Sequence, residues 1–163
     1  MSRSDICSCE REMIAEYEIK LAVPGDAFAI SELSRDTIEY GLPWSWTSRR
    51  VATSIADSST NVAVARQAQR LIGFAIMKYG DEDAHVMLLA VHPAHRRKGA
   101  GSALLDWLEA TARVAGIRSI QLEARARNTG AISFYRQHGY AQLGLRRGYY
   151  QRAEDAVRMA KDL

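Results

Sequence analysis

The chain has 163 residues, of which 47% are hydrophobic and 25% charged, and this composition is typical of one globular domain rather than a disordered or fibrous protein. The net charge of +3 would permit nucleic-acid binding, but the basic residues form short scattered groups instead of one long stripe, so no nucleic-acid partner is predicted. The longest clearly apolar run, Val86–Val91, is far shorter than the roughly 20 residues of a membrane-spanning helix, and no membrane partner is predicted.

Residues 1–15 are predicted to form a flexible tail, and residues 16–163 one domain. The tail mixes charges with Ser and Cys and lacks the apolar stretch of a secretory signal, so a cytoplasmic protein is expected. Its two cysteines, Cys7 and Cys9, lie too close together for an easy disulfide and are interpreted as reduced thiols. No Cys or His cluster follows that would complete a metal site with this pair, so no metal is predicted.

The first half of the domain is predicted to contain a strand, two helices and three further strands. Alternating apolar residues indicate the strands, and apolar residues at helical spacing indicate the helices. The strand covers 17–22, the helices lie between 26 and 41 and over 47–56, and the three strands cover 62–66, 71–79 and 84–91. Short polar turns separate those three strands, which indicates an antiparallel meander. The connection Trp44-Ser45-Trp46 between the helices is unusually aromatic, and no role is assigned to it.

The second half is predicted to contain two helices and three strands. The first helix follows Pro93 and ends at Gly116, and the second begins at the capping residue Asn128 and ends at Gly139. The strands cover 119–124, 140–145 and 155–160. The order βααβββαβαββ predicts a mixed α/β (α+β) domain that is mostly antiparallel at first, with a β-α-β crossover around the fourth strand of the chain.

A basic, glycine-containing segment, Arg96-Arg97-Lys98-Gly99-Ala100-Gly101, leads from an apolar strand into a helix. A helix start presents unpaired N–H groups and the positive end of the helix dipole, and both bind phosphate oxygens. Gly99 and Gly101 would let the backbone approach a ligand closely, and the three cations suit a pyrophosphate. The dinucleotide fingerprint would need glycine at Leu104, and the Gly-Lys-Ser/Thr of a Walker loop is absent. A strand-to-helix turn with chance basic residues is the alternative to a phosphate site.

This R-x-x-G-x-G pattern resembles the coenzyme A signature of the GNAT acetyltransferases. Leu122–Asn128, followed by Ala131–Tyr135 and Gly139-Tyr140, resembles the second motif of that family at its usual spacing, so the resemblance covers residues 17–163. It implies a GNAT fold, in which a mixed, mostly antiparallel sheet of about seven strands carries helices on both faces. Arg146–Tyr150 with Glu154–Ala156 is similar, within that class, to bacterial ribosomal-protein-alanine N-acetyltransferases, which modify protein N-termini.

The resemblance implies acetyl transfer from acetyl-CoA to a primary amine by direct attack, without a metal. Glu123 would be the base that draws the amine proton through a water, and Tyr135 the acid that protonates the departing thiolate. The backbone of Leu89–Val91 would lie along the pantetheine arm. The residues implied in acetyl-CoA binding are Leu89, Ala90, Val91, Arg96, Arg97, Lys98, Gly99, Ala100, Gly101, Ser102, Asn128 and Tyr135.

Each of these roles has a structural alternative. Glu123 could be a surface carboxylate paired with Arg125, and Tyr135 could be a core aromatic at helical spacing. His92 and His95 have a spacing that could suggest metal ligands, but without a visible third ligand they are expected to border the cofactor or solvent.

The acceptor predicted from the resemblance is a protein N-terminal α-amine. A small-molecule amine, such as a polyamine, an amino acid or an antibiotic, is the first alternative. The second is a non-catalytic acyl-CoA-binding regulator, which would keep the phosphate loop without needing Glu123 or Tyr135. The sequence is also compatible with a homodimer.

Overall fold

The computed structural model describes residues 17–150 and 154–163, so the predictions for the tail with Cys7 and Cys9 lie outside the described residues. Seven strands form one sheet in the order β1-β2-β3-β4-β5-β7-β6. The strands are β1 Glu18–Leu21, β2 Thr60–Gln67, β3 Arg70–Tyr79, β4 Asp83–Val91, β5 Ser119–Arg125, β6 Ala141–Tyr150 and β7 Glu154–Asp162, and the α-helices are α1 Ala27–Thr37, α2 Ser48–Ala56, α3 Ala100–Val114 and α4 Thr129–Gln137. The predicted order of elements and the mixed α/β class are confirmed. Within the described ranges, no helix combines the length and apolar character needed to cross a membrane.

The side chains of the central strands alternate between two hydrophobic clusters, one on each face of the sheet. Val64 and Phe74 belong to the cluster beneath α1 and α2, whereas their chain neighbours Ala65 and Ala75 belong to the cluster beneath α3. The helices contribute Ala27, Ile30, Leu33 and Val51 to the first cluster, and Leu104, Leu105, Leu108, Ala112 and Tyr135 to the second. The helices therefore cover both faces, as predicted.

Local chemistry sets the helix bounds at the predicted residues. The Thr47 hydroxyl accepts a hydrogen bond from the Arg50 N–H at 3.3 Å, and the Asn128 side chain accepts one from the Ala131 N–H at 3.0 Å, so both residues cap helix starts. Gly139 follows α4 with a φ of 91°, a conformation that glycine adopts without a steric cost.

The predicted range for β6 was too short, because the strand continues to Tyr150 instead of ending at Leu145. It pairs with β7 as far as Tyr150↔Glu154, with a register irregularity between Arg146 and Tyr150. Most side chains of β6 are exposed, so the strand lacks the apolar alternation on which a sequence-based prediction depends.

Strands β4 and β5 are parallel neighbours only over their first halves. The paired residues run from Asp83↔Ser119 to Val86↔Leu122, and no pairing continues beyond them. Past that point β4 stays paired with β3 up to Val91, and β5 stays paired with β7 up to Arg125. The sheet therefore parts between Met87–Val91 and Glu123–Arg125, and peptide groups of β4 on the open side are left without a partner on β5.

A buried charged cluster links α3 to β7. Lys161 Nζ lies 3.0 and 3.2 Å from the two carboxylate oxygens of Glu109, whose side chain is 5% exposed. The Tyr140 hydroxyl donates to the same carboxylate at 3.2 Å. Burial, together with the Glu109 charge, raises the pKa of the Tyr140 phenol, so the phenol keeps the proton that it donates.

Replacing Lys161 with Met should lower the free energy of unfolding, because the Glu109 carboxylate would lose its cation while remaining buried. We expect a loss of about 2–3 kcal/mol, below the value for a fully enclosed pair because water reaches part of Lys161. Urea unfolding followed by circular dichroism measures it. The matched control is Lys20→Met, which removes the exposed ion pair with Glu18 and should leave the urea midpoint unchanged. Equal midpoints for both variants and the wild type would show that the buried pair adds nothing to stability.

Candidate active site

The loop before α3 combines backbone strain, exposed cations and unpaired N–H groups. Arg97 has a φ of 61° and Gly99 a φ of 91°, and the other non-glycine residues with positive φ among those described, Ala68 and Gln69, lie in the β2–β3 turn. A non-glycine residue in this conformation costs about 1–3 kcal/mol and is typical of functional loops. Gly99 caps α3 without a side-chain hydrogen bond, so the first amides of the helix remain free to meet an anion.

Gly99 and Gly101 differ in how much space lies beside their backbones. A Cβ at Gly99 would meet no heavy atom within 4 Å, so the open space beside the loop lies there. A Cβ at Gly101 would instead lie 3.4 Å from the Phe134 ring and 3.8 Å from Val91. The space beside the backbone is therefore open at Gly99, whereas at Gly101 it is bordered by the Phe134 ring at van der Waals distance, and the role of both glycines in making room for a ligand stays a prediction.

A hydrogen bond joins the end of α4 to the first turn of α3 beside this loop. The Ser102 hydroxyl and His138 Nε2 lie 3.0 Å apart, and the His138 ring packs on Phe134 with centroids 4.6 Å apart. The phosphate-type loop and α4 are thus packed against each other. Because Tyr135 lies on α4 next to Phe134, the loop and the predicted acid belong to one packed unit.

Glu123 lies at the residue where β5 separates from β4, and its side chain is only 8% exposed. Its Oε2 shares a short hydrogen bond with His85 Nε2. The Tyr149 hydroxyl lies 3.5 Å from the same oxygen, the longest distance at which it can donate a hydrogen bond. Arg146 Nη1 approaches the other carboxylate oxygen at 4.0 Å. The alternative of a surface carboxylate paired with Arg125 is wrong, since Arg125 pairs with Glu154 instead.

Opposing effects act on the pKa of the Glu123 carboxyl. Burial raises it, because the charged form loses hydration. The hydrogen bond and charge of His85 lower it, and so do the charges of Arg146 and Arg158. The net pKa lies below the ordinary value for a glutamic acid, so the carboxylate is ionised at neutral pH although it is buried.

Tyr135 is buried between α4 and the sheet, with its ring packed edge-on against Phe134 and Tyr140 at centroid distances of 5.2 and 5.7 Å. Its hydroxyl takes part neither in the hydrogen bond of Tyr140 to Glu109 nor in that of Tyr150 to the Glu123 carbonyl oxygen. Burial raises the pKa of the phenol well above its ordinary value, so it stays protonated at neutral pH. The packing accounts for the ring, while the hydroxyl is left available as a donor.

His92 and His95 do not form a metal site in the part of the chain that is described. Their rings meet edge to face with centroids 6.0 Å apart, and His92 Nδ1 accepts a hydrogen bond from the Ala94 N–H at 3.2 Å. No group of three or more His, Cys, Asp and Glu side chains in the described ranges is placed to hold a metal ion.

Sequence reasoning missed His85, the closest partner of Glu123. The signal was present, because the predicted crossover makes β4 and β5 parallel neighbours, and a histidine within the otherwise apolar β4 would then lie beside polar side chains on the same face of β5. The aromatic connection between α1 and α2 was also left without a role. Glu39 at its start holds its end in place, because the Glu39 carboxylate accepts hydrogen bonds from the N–H groups of Ser45, at 2.8 Å, and Trp46, at 3.2 Å.

Known proteins resemble this chain in sequence and in fold. A [ribosomal protein bS18]-alanine N-acetyltransferase from Escherichia coli K12 is 30% identical over 118 residues, which are 71% of this chain and 79% of that protein. An N-alpha-acetyltransferase from Sulfolobus acidocaldarius is 27% identical over 156 residues, or 90% of this chain and 93% of the relative. The crystal structure of Ard1 from Thermoplasma volcanium superposes with a TM-score of 0.82 at 25% identity, covering 90% of this chain and 97% of that one.

Residues 28–140 match the profile of the Acetyltransferase (GNAT) family. The matched range contains the loop before α3, the parting of β4 and β5, Glu123 and Tyr135. A free helix start for a phosphate group and an open strand edge beside a buried carboxylate suit a coenzyme A thioester and an amine. The chain belongs to the GNAT family and is an acetyl-CoA-dependent N-acetyltransferase.

Proposed function

We propose that this enzyme acetylates the α-amine of a protein N-terminus. The observation that carries the proposal is Glu123, a buried and ionised carboxylate held by His85 at the point where β4 and β5 separate. An acceptor amine that enters this opening would meet a base on β5 and an acetyl group aligned along β4. Relatives named as acetyltransferases of ribosomal-protein alanine and of N-terminal α-amines support a peptide acceptor. Because such acceptors are made in the cytoplasm, the proposal places the enzyme there.

The residues beside the parting fit an acetyl-CoA molecule. The backbone of Arg96–Ser102 would bind the pyrophosphate with its free amides, and the cations of Arg96, Arg97 and Lys98 would neutralise it. Peptide groups of Leu89–Val91 that have no partner on β5 would hydrogen-bond the pantetheine amides. One of these N–H groups would also stabilise the charge that develops on the thioester oxygen. Asn128 caps α4 and would contact the cofactor from that helix end.

Glu123 would act as the base together with His85. A carboxylate whose pKa is lowered is a weak base for an ammonium group, so an acceptor proton would more readily reach the His85 ring or an intervening water first. The bond to Glu123 engages Nε2 of the His85 ring, so Nδ1 would be the atom that receives the proton. Glu123 would then stabilise the imidazolium through the bond to Nε2.

Tyr135 would act as the acid. The amine nitrogen forms a bond to the acetyl carbonyl carbon, the carbon–sulfur bond breaks, and the electron pair remains on sulfur. The Tyr135 hydroxyl would donate its hydrogen bond to that sulfur and then its proton, and the phenol would regain a proton from solvent. The products are the N-acetylated acceptor and free coenzyme A.

Mass spectrometry of an acceptor panel tests the proposal. Short peptides with free α-amines should gain 42 mass units, as acetylation requires, while polyamines, free amino acids and antibiotics should not. Acetylation of the free amines alone would favour the small-molecule alternative. Acetyl-CoA binding without turnover on any acceptor would favour the acyl-CoA-binding regulator.

Removing two cations from the loop should weaken acetyl-CoA binding without affecting the fold, because the side chains of Arg96 and Lys98 are exposed. For Arg96→Gln/Lys98→Gln we expect an affinity about 10- to 100-fold lower, the effect of losing charge-assisted hydrogen bonds to phosphate. Calorimetric titration with acetyl-CoA measures it. Arg113→Gln/Arg118→Gln removes the same charge at the other end of α3 and should bind normally. If both double variants weaken acetyl-CoA binding equally, the loop cations act only through the overall positive charge of the protein and not through direct contacts with the phosphates.

Glu123→Gln should lower turnover most near pH 7, where an α-amine with an ordinary pKa of about 8 is largely protonated. Raising the pH to about 9 supplies the free amine and should recover part of the loss. In the wild type the low pKa keeps Glu123 ionised across this range, so the rise of kcat/KM with pH reports the deprotonation of the acceptor amine. Initial rates between about pH 6 and pH 9 give the profile. A loss that is the same at every pH would assign Glu123 to positioning.

Tyr135→Phe keeps the packed ring and removes only the hydroxyl. We expect kcat to fall by roughly 10²–10⁴-fold, the range for general acids, with acetyl-CoA affinity unchanged. A thiol-release assay beside calorimetry on the same variant separates the two quantities. Tyr140→Phe is the matched control on the neighbouring ring, and its kcat should stay near that of the wild type. If Tyr135→Phe also works at close to the normal rate, Tyr135 is a core aromatic.

A further inference from the structure

Arg125, the last residue of β5, is a buried arginine that the acetyl-transfer mechanism does not use. It lies two residues beyond Glu123 on the same face of the strand, and its side chain is 5% exposed. Its guanidinium contacts two chain segments that are far apart in sequence. One is the connection between α1 and α2, residues 38–47, and the other is the pair of strand ends Tyr150 and Glu154, which is called the β6–β7 junction below.

The α1–α2 connection meets Arg125 through Tyr40. Arg125 Nη2 donates a hydrogen bond to the Tyr40 carbonyl oxygen at 2.9 Å, and the guanidinium lies 4.2 Å from the centre of the Tyr40 ring. The adjacent residue, Glu39, is buried and holds the Ser45 and Trp46 amides of the same connection. The connection is therefore a closed loop that is fastened to β5 at one point.

The β6–β7 junction also contacts Arg125. Glu154, the first residue of β7, places Oε2 3.3 Å from Arg125 Nε, and the Tyr150 ring at the end of β6 lies 5.6 Å from the guanidinium. The Tyr150 hydroxyl also donates to the carbonyl oxygen of Glu123 at 3.3 Å. The junction and the α1–α2 connection therefore meet at Arg125, next to the backbone that carries Glu123.

The pairing of Arg125 is a poor source of stability. Its Nε and Nη1 make no hydrogen bond within the described residues, although both atoms are fully buried. Removing an arginine from water costs several kcal/mol, and apolar replacements of buried ion pairs are often neutral or stabilising. The planar guanidinium does what an apolar side chain cannot, since it lies over the Tyr40 ring and near the Tyr150 ring, donates a hydrogen bond to a carbonyl oxygen and attracts the Glu154 carboxylate. Arg125 therefore contributes by fixing the positions of the groups that it contacts, and not by adding to the free energy of unfolding.

We propose that Arg125 is a positioning residue for the acceptor. It fixes the α1–α2 connection and the β6–β7 junction relative to each other beside Glu123, so that the acceptor amine is held against the base. Arg125 touches neither substrate. The inference rests on the proposed function, because the two segments flank Glu123 on the face opposite the cluster under α3 and α4.

Arg125→Met tests this, because methionine fills most of the buried volume without fixing either segment. We expect kcat/KM for the peptide acceptor to fall about 10- to 100-fold, the effect of misplacing a reactant by an ångström, mainly through a higher acceptor KM. Acetyl-CoA affinity should be unchanged. Arg118→Met, at the exposed residue just before β5, is the matched control and should behave as the wild type.

A second readout does not depend on activity. Two of the three tryptophans, Trp44 and Trp46, lie in the α1–α2 connection, so acrylamide should quench tryptophan fluorescence more strongly in Arg125→Met than in Arg118→Met. If Arg125→Met does not fold, Glu154→Gln removes only the carboxylate partner at a partly exposed site and should raise the acceptor KM in the same direction. Arg125→Lys keeps the charge without the planar group and should recover little.

An unchanged acceptor KM in Arg125→Met, or an equal loss of acetyl-CoA affinity, would overturn the positioning role. So would full rescue by Arg125→Lys, because charge alone would then suffice. Failure of the proposed function is recognised separately, since the wild type itself would then acetylate no peptide. If the wild type acetylates only free amines, the same variants compared on that amine decide the role of Arg125.

Discussion

The parting of β4 from β5 after four paired residues is the constraint on which the site depends. A β-sheet is stable because neighbouring strands satisfy each other's peptide groups, so an opening inside a sheet is costly unless each strand keeps its outer neighbour. Here β3 pairs with β4 as far as Val91 and β7 pairs with β5 as far as Arg125, so both strands keep an outer neighbour past the opening. The opening is thus rigid on both sides, and one side offers peptide N–H and C=O groups in extended geometry to a substrate of similar chemistry.

A register irregularity opposite Ile76 and Met77 accompanies this opening. The β3–β4 pairing shifts so that Met87 is left over, directly after the last residue of β4 that pairs with β5. An extra residue in one strand bends it and increases its twist. The bend gives a physical reason for β4 to turn away from β5 at this point, and it positions Leu89–Val91 toward the start of α3.

Much of the fold could be predicted because its signals are local. Alternation identified the central strands, and the caps at Thr47 and Asn128 and the glycine after α4 set helix bounds to within a residue or two. The exposed strand β6 was underestimated, since neither of its faces is consistently apolar. The likeness to a known family pointed to Glu123 and Tyr135, but their surroundings depend on contacts between distant segments. His85 meets Glu123 across 38 residues and Arg125 meets Tyr40 across 85, and no local pattern carries such information.

The position of β7 in the sheet has a consequence for how the molecule is made. This strand is the last in the chain, yet it lies between β5 and β6 and is the only described neighbour of β6. Until residues 154–162 have left the ribosome, β5 has an open edge where Glu123 and Arg125 lie, and β6 has nothing to pair with. The half of the sheet that carries the base can therefore assemble only after synthesis has passed β7, whereas the β1–β4 meander has all of its partners much earlier.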